Sequence, residues 1–245
     1  MRRVRRRIQL TVHELRVQRS DSFALSIPFL NFQPGQVTCV VGSNGSGKTT
    51  LMETIVGLIV PNEGEVQVRG EAAHSDSLDV KRSIGFIPDN DAWIIPELTA
   101  REYFELLASV YIKHTSLRLM RRRYGELAEE LLFTAFDQLL GSLSHGNKKK
   151  VQIIAGLLHD PPFIIVDELR NGLDPIAITR AEQLLRRKQL SGAAIVAATH
   201  DLWWAERVAD EIVMIKRGHI VLNDVTKHIV ERFGSVEASF MEHYA

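Results

Sequence analysis

The sequence predicts an α/β fold in which helices cover a mainly parallel sheet and a helical subdomain interrupts the alternation. Apolar, strand-like runs alternate with helical patterns towards both ends of the chain. From residue 100 to about residue 158, apolar residues instead recur at helical spacing. Because strands that alternate with helices form mainly parallel sheets with covered faces, we expect the central block to be an inserted helical subdomain.

The boundaries of the elements follow from the apolar pattern and from turn-forming residues. Pro34 and Gly35 predict the turn before the third strand, and the Pro-Asn-Glu-Gly stretch at 61–64 predicts the end of the first helix. Helices are predicted at 47–58, 175–190 and 202–208. Strands are predicted at 8–18, 23–29, 36–41, 65–69, 84–87, 163–166, 194–199, 212–216 and 219–222.

Composition argues against several classes of protein. The chain has 245 residues, and 30 basic residues balance 30 acidic ones, which disfavours a protein built mainly to coat nucleic acid. Cys39 is the one cysteine, so no disulfide framework can form and we expect a reducing compartment. No apolar run approaches the roughly 18 residues that span a bilayer. The arginine-rich residues 1–7 predict a solvated leader or a misassigned start codon, with contact to anionic lipid as the alternative.

A glycine-rich stretch after the third strand is the strongest local signal. Gly42, Gly47, Lys48 and Thr49 match G-x-x-x-x-G-K-[ST], the P-loop pattern, between an apolar strand and a helix. Glycines let backbone N–H groups wrap around phosphates, whereas the alternative is a simple turn that caps the helix. Lys48 is predicted to bind the outer phosphates, and Thr49 to offer a hydroxyl to Mg²⁺. The predicted nucleotide-binding residues are Gly42, Ser43, Asn44, Gly45, Ser46, Gly47, Lys48, Thr49 and Thr50.

Two adjacent acids follow a buried strand. Asp167 and Glu168 end the stretch FIIVDE after four apolar residues. One carboxylate at such a position can support Mg²⁺, and a second can orient and deprotonate a water. Acids at a strand end can also be turn residues, but the P-loop upstream favours the functional interpretation.

The order of six motifs resembles that of ATP-binding cassette (ABC) ATPases over nearly the whole chain. The motifs are GSNGSGKTT, IGFIPD, LSHGN, FIIVDE, NGLDP and AATHD. The resemblance implies one domain over 1–245, with a P-loop NTPase core that adds an antiparallel β subdomain to the parallel sheet. We expect the core at 1–88 and 159–225, the inserted helical subdomain at 89–158 and a C-terminal tail at 226–245.

The resemblance implies roles for residues around one nucleotide. Asp167 would support Mg²⁺ through water, Glu168 would be the general base, and His200 would contact the γ-phosphate. Asp89 stands where the family usually has the Q-loop glutamine, so we expect it near Mg²⁺ and the attacking water, with water-mediated contacts. Its neighbours in the stretch 90–91 are interpreted as turn residues.

The resemblance also implies residues that act across a head-to-tail dimer. The signature loop matches residues 143–147, and its Ser144 and Gly146 would contact the γ-phosphate held by the partner chain. Asp174, in the D-loop, would be an interface residue.

Several positions depart from the family pattern. The residue that stacks on adenine falls near Arg19, whose planar guanidinium can stack; Phe23 and no stacking residue at all are the alternatives. His145, Asn147 and Leu169 replace common residues, which affects the expected rate and affinity but not the reaction.

Basic runs at 121–123 and 148–150 are interpreted as solvated helix faces, with nucleic-acid contact as the alternative.

The stretch at 84–111 and the chain's ending resemble stand-alone ATPases of bacterial ABC exporters, those of the Ecs type in particular. This implies an ATP-hydrolysing subunit that uses ATP and Mg²⁺ and lies on the inner face of the cell membrane. It would form a homodimer or a cassette heterodimer on a separate transmembrane permease, without nucleic acid. Residues 94–140 and the Asp89 loop would form the permease groove, with Trp93, Ile94 and Ile95 partly exposed when the permease is absent. The alternative is that these three residues pack the core of the helical subdomain. The alternatives are an importer ATPase, a cassette protein acting on DNA or ribosomes, and a regulatory subunit with little hydrolysis.

Overall fold

Ten strands in the described part of the chain form one mixed sheet. The computed structural model describes residues 9–20, 22–111 and 117–244, so the leader predicted at 1–7 lies outside the described residues. The strands are β1 (Leu10–Ser20), β2 (Phe23–Phe32), β3 (Val37–Val41), β4 (Glu63–Val68), β5 (Glu71–Ala72), β6 (Ile84–Ile87), β7 (Phe163–Asp167), β8 (Ala194–Thr199), β9 (Glu211–Lys216) and β10 (His219–Val225). Their order across the sheet is β5-β4-β1-β2-β10-β9-β3-β8-β7-β6.

The central strands run parallel and end at one edge of the sheet. β3 pairs in parallel with β8 and β9, and β7 pairs in parallel with β6 and β8. Val41 lies beside Thr199, and Asp167 lies beside Ala198. The chain therefore leaves β3, β7 and β8 at the same edge, which is where open α/β sheets bind ligands. β1 pairs antiparallel with β2 and β4, which adds the expected antiparallel part.

Helices cover the sheet, and several of them start at polar caps. They are α1 (Lys48–Ile55), α2 (Leu78–Ser83), α3 (Ala100–Tyr111), α4 (Leu117–Glu130), α5 (His145–Leu157), α6 (Pro175–Leu190), α7 (Leu202–Val208), α8 (Thr226–Phe233) and α9 (Val236–Tyr244). Ser144, Asp174 and Asp201 accept hydrogen bonds from the first-turn amides of α5, α6 and α7. Among the described residues, no helix is both long and apolar enough to cross a membrane.

The two faces of the sheet are covered by different hydrophobic clusters. One cluster joins β7 to the central helices, where Phe104 packs against Tyr124 at 5.3 Å between ring centroids and lies near Ile154 and Ile164. The other joins α1 to β1, β2 and the opposite faces of the central strands. Burial of each such large side chain contributes about 1.5–3 kcal/mol to folding. The α/β class is confirmed.

The structure refines two parts of the predicted layout. The central helical block contains α3, α4 and α5, and an irregular stretch with a 3-10 turn at Leu140–Ser142 separates the last two. Residues 226–245 were predicted only as a tail, but the structure forms α8 and α9 there. Val236 is buried, and its amide donates to Glu206 Oε2 at 2.7 Å. Short helices of this kind are stabilised by packing, which a local pattern does not reveal.

Candidate functional site

A cleft of about 610 Å³ opens at the edge where the parallel strands end. The residues that line it come from the end of β1, the start of β2, the P-loop, the loop after β6 and the end of β7. They are Arg19, Phe23, Asn44, Gly45, Gly47, Lys48, Thr49, Thr50, Asp89 and Glu168. The structure thus brings most residues of the predicted nucleotide site together. Both candidates for the adenine contact, Arg19 and Phe23, lie in this lining.

The other three residues of the predicted P-loop lie outside the cleft lining. Gly42, Ser43 and Ser46 are absent from the cleft lining among the described residues. Gly42 is buried, and a Cβ there would lie 2.5 Å from the Ile215 carbonyl oxygen, so only glycine fits. Gly47 has a φ of 112°, which places it in the region that favours glycine, immediately before α1 begins. These two glycines let the loop turn sharply from β3 into α1.

Lys48 lies inside the P-loop with its ammonium group bound to the backbone. Its Nζ donates to the carbonyls of Gly42 at 2.8 Å and Ser43 at 3.2 Å. Burial lowers the pKa of Lys48 below its usual value, while the charges of Glu168 and Asp167 oppose that shift. The loop therefore places the Lys48 ammonium near the carboxylates of Asp167 and Glu168. The ammonium suits an anionic ligand, and the carboxylates suit a metal ion that such a ligand carries.

Oxygen groups suited to Mg²⁺ meet at the base of the cleft. Asp167 is 2% exposed, and its Oδ1 has no hydrogen-bond partner among the described residues. Burial raises the pKa of Asp167 to about 6, although a hydrogen bond from Thr49 acts in the opposite direction. In the described ranges, no group of three His, Cys, Asp or Glu side chains could hold a metal alone. Mg²⁺ fits these oxygen donors if phosphate and water complete its ligands.

Glu168 is held between two side chains from the end of β8. Nδ1 of His200 lies 2.9 Å from Oε1 of Glu168, and the Thr199 hydroxyl donates to Oε2 at 3.3 Å. The Glu168 amide still donates to the Ala198 carbonyl at 3.0 Å, although its φ of 46° is in the left-handed region. That conformation costs about 1–2 kcal/mol for a residue with a side chain. The strand end thus turns the carboxylate into the cleft and fixes its direction there.

Asp89 is anchored by a residue that the sequence reading did not single out. Oδ1 of Asp89 accepts from Nδ2 of Asn171 at 2.7 Å. Asn171 lies in the loop between β7 and α6, and its amide donates to the Glu168 carbonyl at 3.4 Å. The next residues after Asp89 behave differently: Asn90 caps the 3-10 turn Asp91–Trp93. This contact joins the loop after β6 to the loop after the neighbouring strand β7, beside the cleft.

The interpretation of the run 148–150 as a solvated face is wrong for Lys149. Lys149 is 1% exposed, and its Nζ donates to the carbonyls of Pro88 at 2.7 Å and Asp167 at 3.1 Å. Burial lowers its pKa to about 8, while the nearby carboxylates, first Asp89, oppose that shift. The position of Lys149 on the buried side of α5, four residues before the buried Ile153, was the signal available in the sequence. Its ammonium ties α5 to the start of the Asp89 loop and to β7.

The predicted signature and D-loop residues lie outside the cleft. Ser144 and Asp174 are exposed at the N-termini of α5 and α6, where each caps its own helix. A Cβ on Gly146 would lie 2.8 Å from the Gly172 carbonyl oxygen, so the two loops pack backbone to backbone. Within one chain these residues therefore do not reach the side chains that line the cleft, and their exposure leaves them accessible to a second chain.

A separate groove of about 260 Å³ runs between the core and α3. Its lining includes Leu58, Trp93, Tyr103 and Leu107. Trp93 and Ile95 are 43% and 40% exposed, as predicted. The expected exposure of Ile94 is wrong, because Ile94 is 8% exposed and belongs to the hydrophobic cluster of the central helices.

The chain is similar to known proteins in sequence and in fold. A family model described as ABC transporter matches residues 27–171, more than half of the chain. The chain is similar to the ABC-type transporter ATP-binding protein EcsA of Bacillus subtilis (strain 168), with 29% identity over 213 residues, 86% of this chain and 85% of that protein. It is also similar to the SkfA peptide export ATP-binding protein SkfE of the same organism, with 29% identity over 78% of each chain.

Solved structures give the same result for the whole fold. An ATP binding subunit of an ABC transporter superposes with a TM-score of 0.88 at 27% identity, over 97% of this chain and 100% of that one. A dimeric ATP-binding cassette in a post-hydrolysis state, bound to ADP and Pi, superposes with a TM-score of 0.78 at 26% identity, over 89% and 98% of the two chains.

Proposed function

This chain belongs to the ABC transporter family as an ATP-binding, ATP-hydrolysing subunit, and we propose that it powers an exporter through a separate transmembrane permease. ABC ATPase cassettes dimerise and work with membrane permease subunits. The observation that carries the proposal is the juxtaposition of Lys48, Thr49 and Glu168 in one cleft, with Glu168 held by His200. The proposal divides the chain into a core at 1–88 and 159–225, a helical insert at 89–158 and a tail at 226–245.

The side chains in the cleft have complementary tasks in hydrolysis. Lys48 and the P-loop amides bind the phosphates of ATP, and the positive end of α1 supports the same charge. Glu168 accepts the proton of the attacking water, and His200, whose ring is largely exposed, faces the γ-phosphate. Asp89 orients the water from the opposite side. Arg19 or Phe23 contacts the adenine at the outer end of the cleft.

Mg²⁺ is the metal that these residues suit. Thr49 would bind it directly through the hydroxyl, and Asp167 would support it through water, with Asp89 as a further oxygen group nearby. When bound, Mg²⁺ neutralises charge that develops on the phosphates. A dication beside Asp167 would lower the raised pKa of this acid and favour its carboxylate form.

A second chain completes the site in this proposal. Ser144 and Gly146 would contact the γ-phosphate bound by the partner, and Asp174 would lie at the interface. Their exposure, away from the cleft of their own chain, supports action across a homodimer or a cassette heterodimer. Closure of the dimer around two ATP molecules would then rotate the helical insert that carries α5.

The groove beside α3 is proposed to receive a cytoplasmic helix of the permease. Trp93 exposes apolar surface there, beside the loop that starts at Asp89, and Ile95 is exposed two residues further along the chain. Asp89 is linked to Asn171, so movement near the γ-phosphate can reach this groove through a hydrogen bond. The chain would therefore lie on the inner face of the cell membrane. The export direction is supported by the exporter-like stretch 84–111 and by the peptide-export relative.

Two variants test the catalytic assignment. Purified wild-type chain should release phosphate from MgATP, and Lys48→Ala should abolish nucleotide binding. Glu168→Gln should reduce turnover by 100-fold or more, yet bind ATP and dimerise in size-exclusion chromatography. Turnover by Glu168→Gln equal to that of the wild type would remove Glu168 from its assigned role.

A cross-linking experiment tests the partner and the direction. Cys39 is fully buried, so Trp93→Cys adds an accessible thiol to the groove for selective cross-linking in native membranes. A multi-helix membrane protein should be captured, and Leu190→Cys, exposed elsewhere on the surface, should not capture it. Inverted vesicles with the captured permease should take up its substrate when ATP is added outside. Release of preloaded substrate instead would indicate an importer.

A further inference from the structure

The C-terminal helix contacts the P-loop through one side chain. The hydroxyl of Tyr244, at the end of α9, accepts a hydrogen bond from the Ser43 amide at 3.2 Å. The same hydroxyl donates to the Ile215 carbonyl in β9. A Cβ placed on Gly42 would lie 2.9 Å from this hydroxyl, so the tyrosine occupies the space that the missing side chain leaves.

The hydroxyl lies where the sheet opens into the P-loop. β3 and β9 pair in parallel register as far as Val41 beside Met214. Beyond that pair the chain leaves β3 as the P-loop, and backbone pairing with β9 ends. The Tyr244 hydroxyl bridges Ser43 and Ile215, the positions next to this opening, with one bond to each strand. The hydroxyl therefore replaces the missing backbone hydrogen bond between β9 and the start of the P-loop.

Tyr244 is itself held firmly. Its ring stacks on Phe240 at 3.9 Å between centroids with an interplanar angle of 16°. Nζ of Lys216 lies 5.5 Å from the centre of the tyrosine ring and donates to the His243 carbonyl at 2.9 Å. A phenol fixed by stacking, a cation and a hydrogen bond loses little rotational freedom when it bonds to Ser43, so the bond to the loop is well supported.

The other end of the same helix is tied to the helix that follows His200. The Val236 amide donates to Glu206 Oε2 at 2.7 Å, and Glu206 lies on α7. α7 begins two residues after His200. Helix α9 thus runs from α7, which follows His200, to the first residues of the P-loop. Two residues of the helix itself, Val236 and Ser239, are buried.

We propose that Tyr244 is a positioning residue that holds Ser43 and thereby sets the shape of the P-loop for nucleotide. This inference rests on the proposed nucleotide site but adds a residue outside the cleft lining. Tyr244 touches no nucleotide; it acts through the Ser43 amide. Its loss should weaken ground-state binding of ATP while leaving the groups that perform hydrolysis in place.

The test compares Tyr244→Phe with Met241→Ala in the full chain. Tyr244→Phe keeps the ring and removes the two hydrogen bonds, whereas Met241 is an exposed residue of the same helix. For Tyr244→Phe, the KM for MgATP and the Kd for a fluorescent ATP analogue should rise by roughly 2- to 12-fold, the range for one hydrogen bond. The kcat should stay within about 2-fold, and Met241→Ala should match the wild type.

Two outcomes would overturn the inference. One is an unchanged KM and Kd for Tyr244→Phe. The other is a fall in kcat together with a lower unfolding temperature and no change in KM, which would indicate a structural role only. Lys48→Ala tests the proposed function separately. If Lys48→Ala abolishes phosphate release, the proposed nucleotide site is supported, even when Tyr244→Phe has no effect.

Discussion

Nδ1 of His200 lies 2.9 Å from Oε1 of Glu168, across the ends of two adjacent parallel strands. Thr199 holds the second carboxylate oxygen at 3.3 Å, so both oxygens are engaged by groups from β8 and its end. The carboxylate is therefore oriented in advance by the imidazole. This relationship makes the effect of each residue on turnover dependent on the other.

The His200 ring should matter for turnover more than for binding. We expect His200→Ala to lower kcat by at least about 10-fold, because Glu168 loses a partner that fixes its direction and the γ-phosphate loses a contact. The Kd for ATP should change by less than about 3-fold. Steady-state phosphate release and equilibrium binding measure these two quantities. His219→Ala, at an exposed histidine of β10, should behave like the wild type; equal losses in both variants would contradict the assignment.

Asp167→Asn should stabilise the chain when nucleotide and metal are absent. Burial raises the pKa of this acid from 3.8 to about 6, so the folded state holds its proton more tightly than the unfolded state. The stabilising contribution is full below about pH 4 and is lost as the pH rises through 6. Above pH 7, the ionised form costs at most about 3 kcal/mol, and asparagine avoids this cost.

Chemical denaturation at pH 5 and pH 7.5 measures that difference. The stability gain of Asp167→Asn over the wild type should be larger at pH 7.5. With MgATP added, the gain should shrink, because the wild type keeps the Asp167 carboxylate for Mg²⁺, binds MgATP more tightly and is therefore stabilised more. A gain that is the same at both pH values would rule out ionisation of Asp167 as its cause.

The buried Lys149 should support turnover through the loop that carries Asp89. Lys149→Met removes the donors to Pro88 and Asp167 with little change in volume. We expect kcat to fall about 10-fold, since a small displacement of catalytic groups has effects of this size or larger. Lys150→Met removes a neighbouring charge that makes only a long bond, 3.4 Å, to the Leu132 carbonyl, and serves as the control. Equal kcat values in the two variants would exclude the special role of Lys149.

The link between Asp89 and Asn171 should be visible as coupling between two substitutions. Asp89→Ala and Asn171→Ala are each expected to reduce ATPase activity, with the larger effect, about 10-fold, at Asp89, because it faces the cleft. Residues that share one hydrogen bond show non-additive effects, so the double variant should resemble Asp89→Ala alone. Phosphate release by the four proteins of this cycle tests it. Strictly additive losses would mean that the contact at 2.7 Å does not transmit function.

The sequence predicts those features of the fold and the site that depend only on neighbouring residues in the chain. The strands at 84–87 and 194–199 and the helix at 175–190 were predicted with the bounds that the structure has, because apolar period and flanking turns are local signals. The P-loop was equally accessible, since its pattern of glycine, lysine and threonine is contiguous in the chain, between an apolar strand and a helix. These features needed no knowledge of distant residues.

Other features arise from residues that are far apart in the chain. Lys149 was interpreted as part of a solvated run because its partners, Pro88 and Asp167, lie 61 and 18 positions away. The contact of Tyr244 with Ser43 spans 201 positions. Ile94 was expected to be partly exposed but packs into the helical cluster, a choice decided by the neighbouring helices rather than by its own segment.

The close approach of Gly146 to Gly172 also limits which substitutions this chain can accept. A Cβ on Gly172 would meet the ring of His145 at 2.1 Å, and a Cβ on Gly146 would meet the backbone of Gly172 at 2.8 Å. Position 145 can therefore accept side chains of different size as long as residue 172 is glycine. Position 146 accepts no side chain, because the Gly172 backbone occupies the space. In a library of variants, tolerated changes should concentrate at 145 and vanish at 146, so the loop has one permissive position beside one that accepts only glycine.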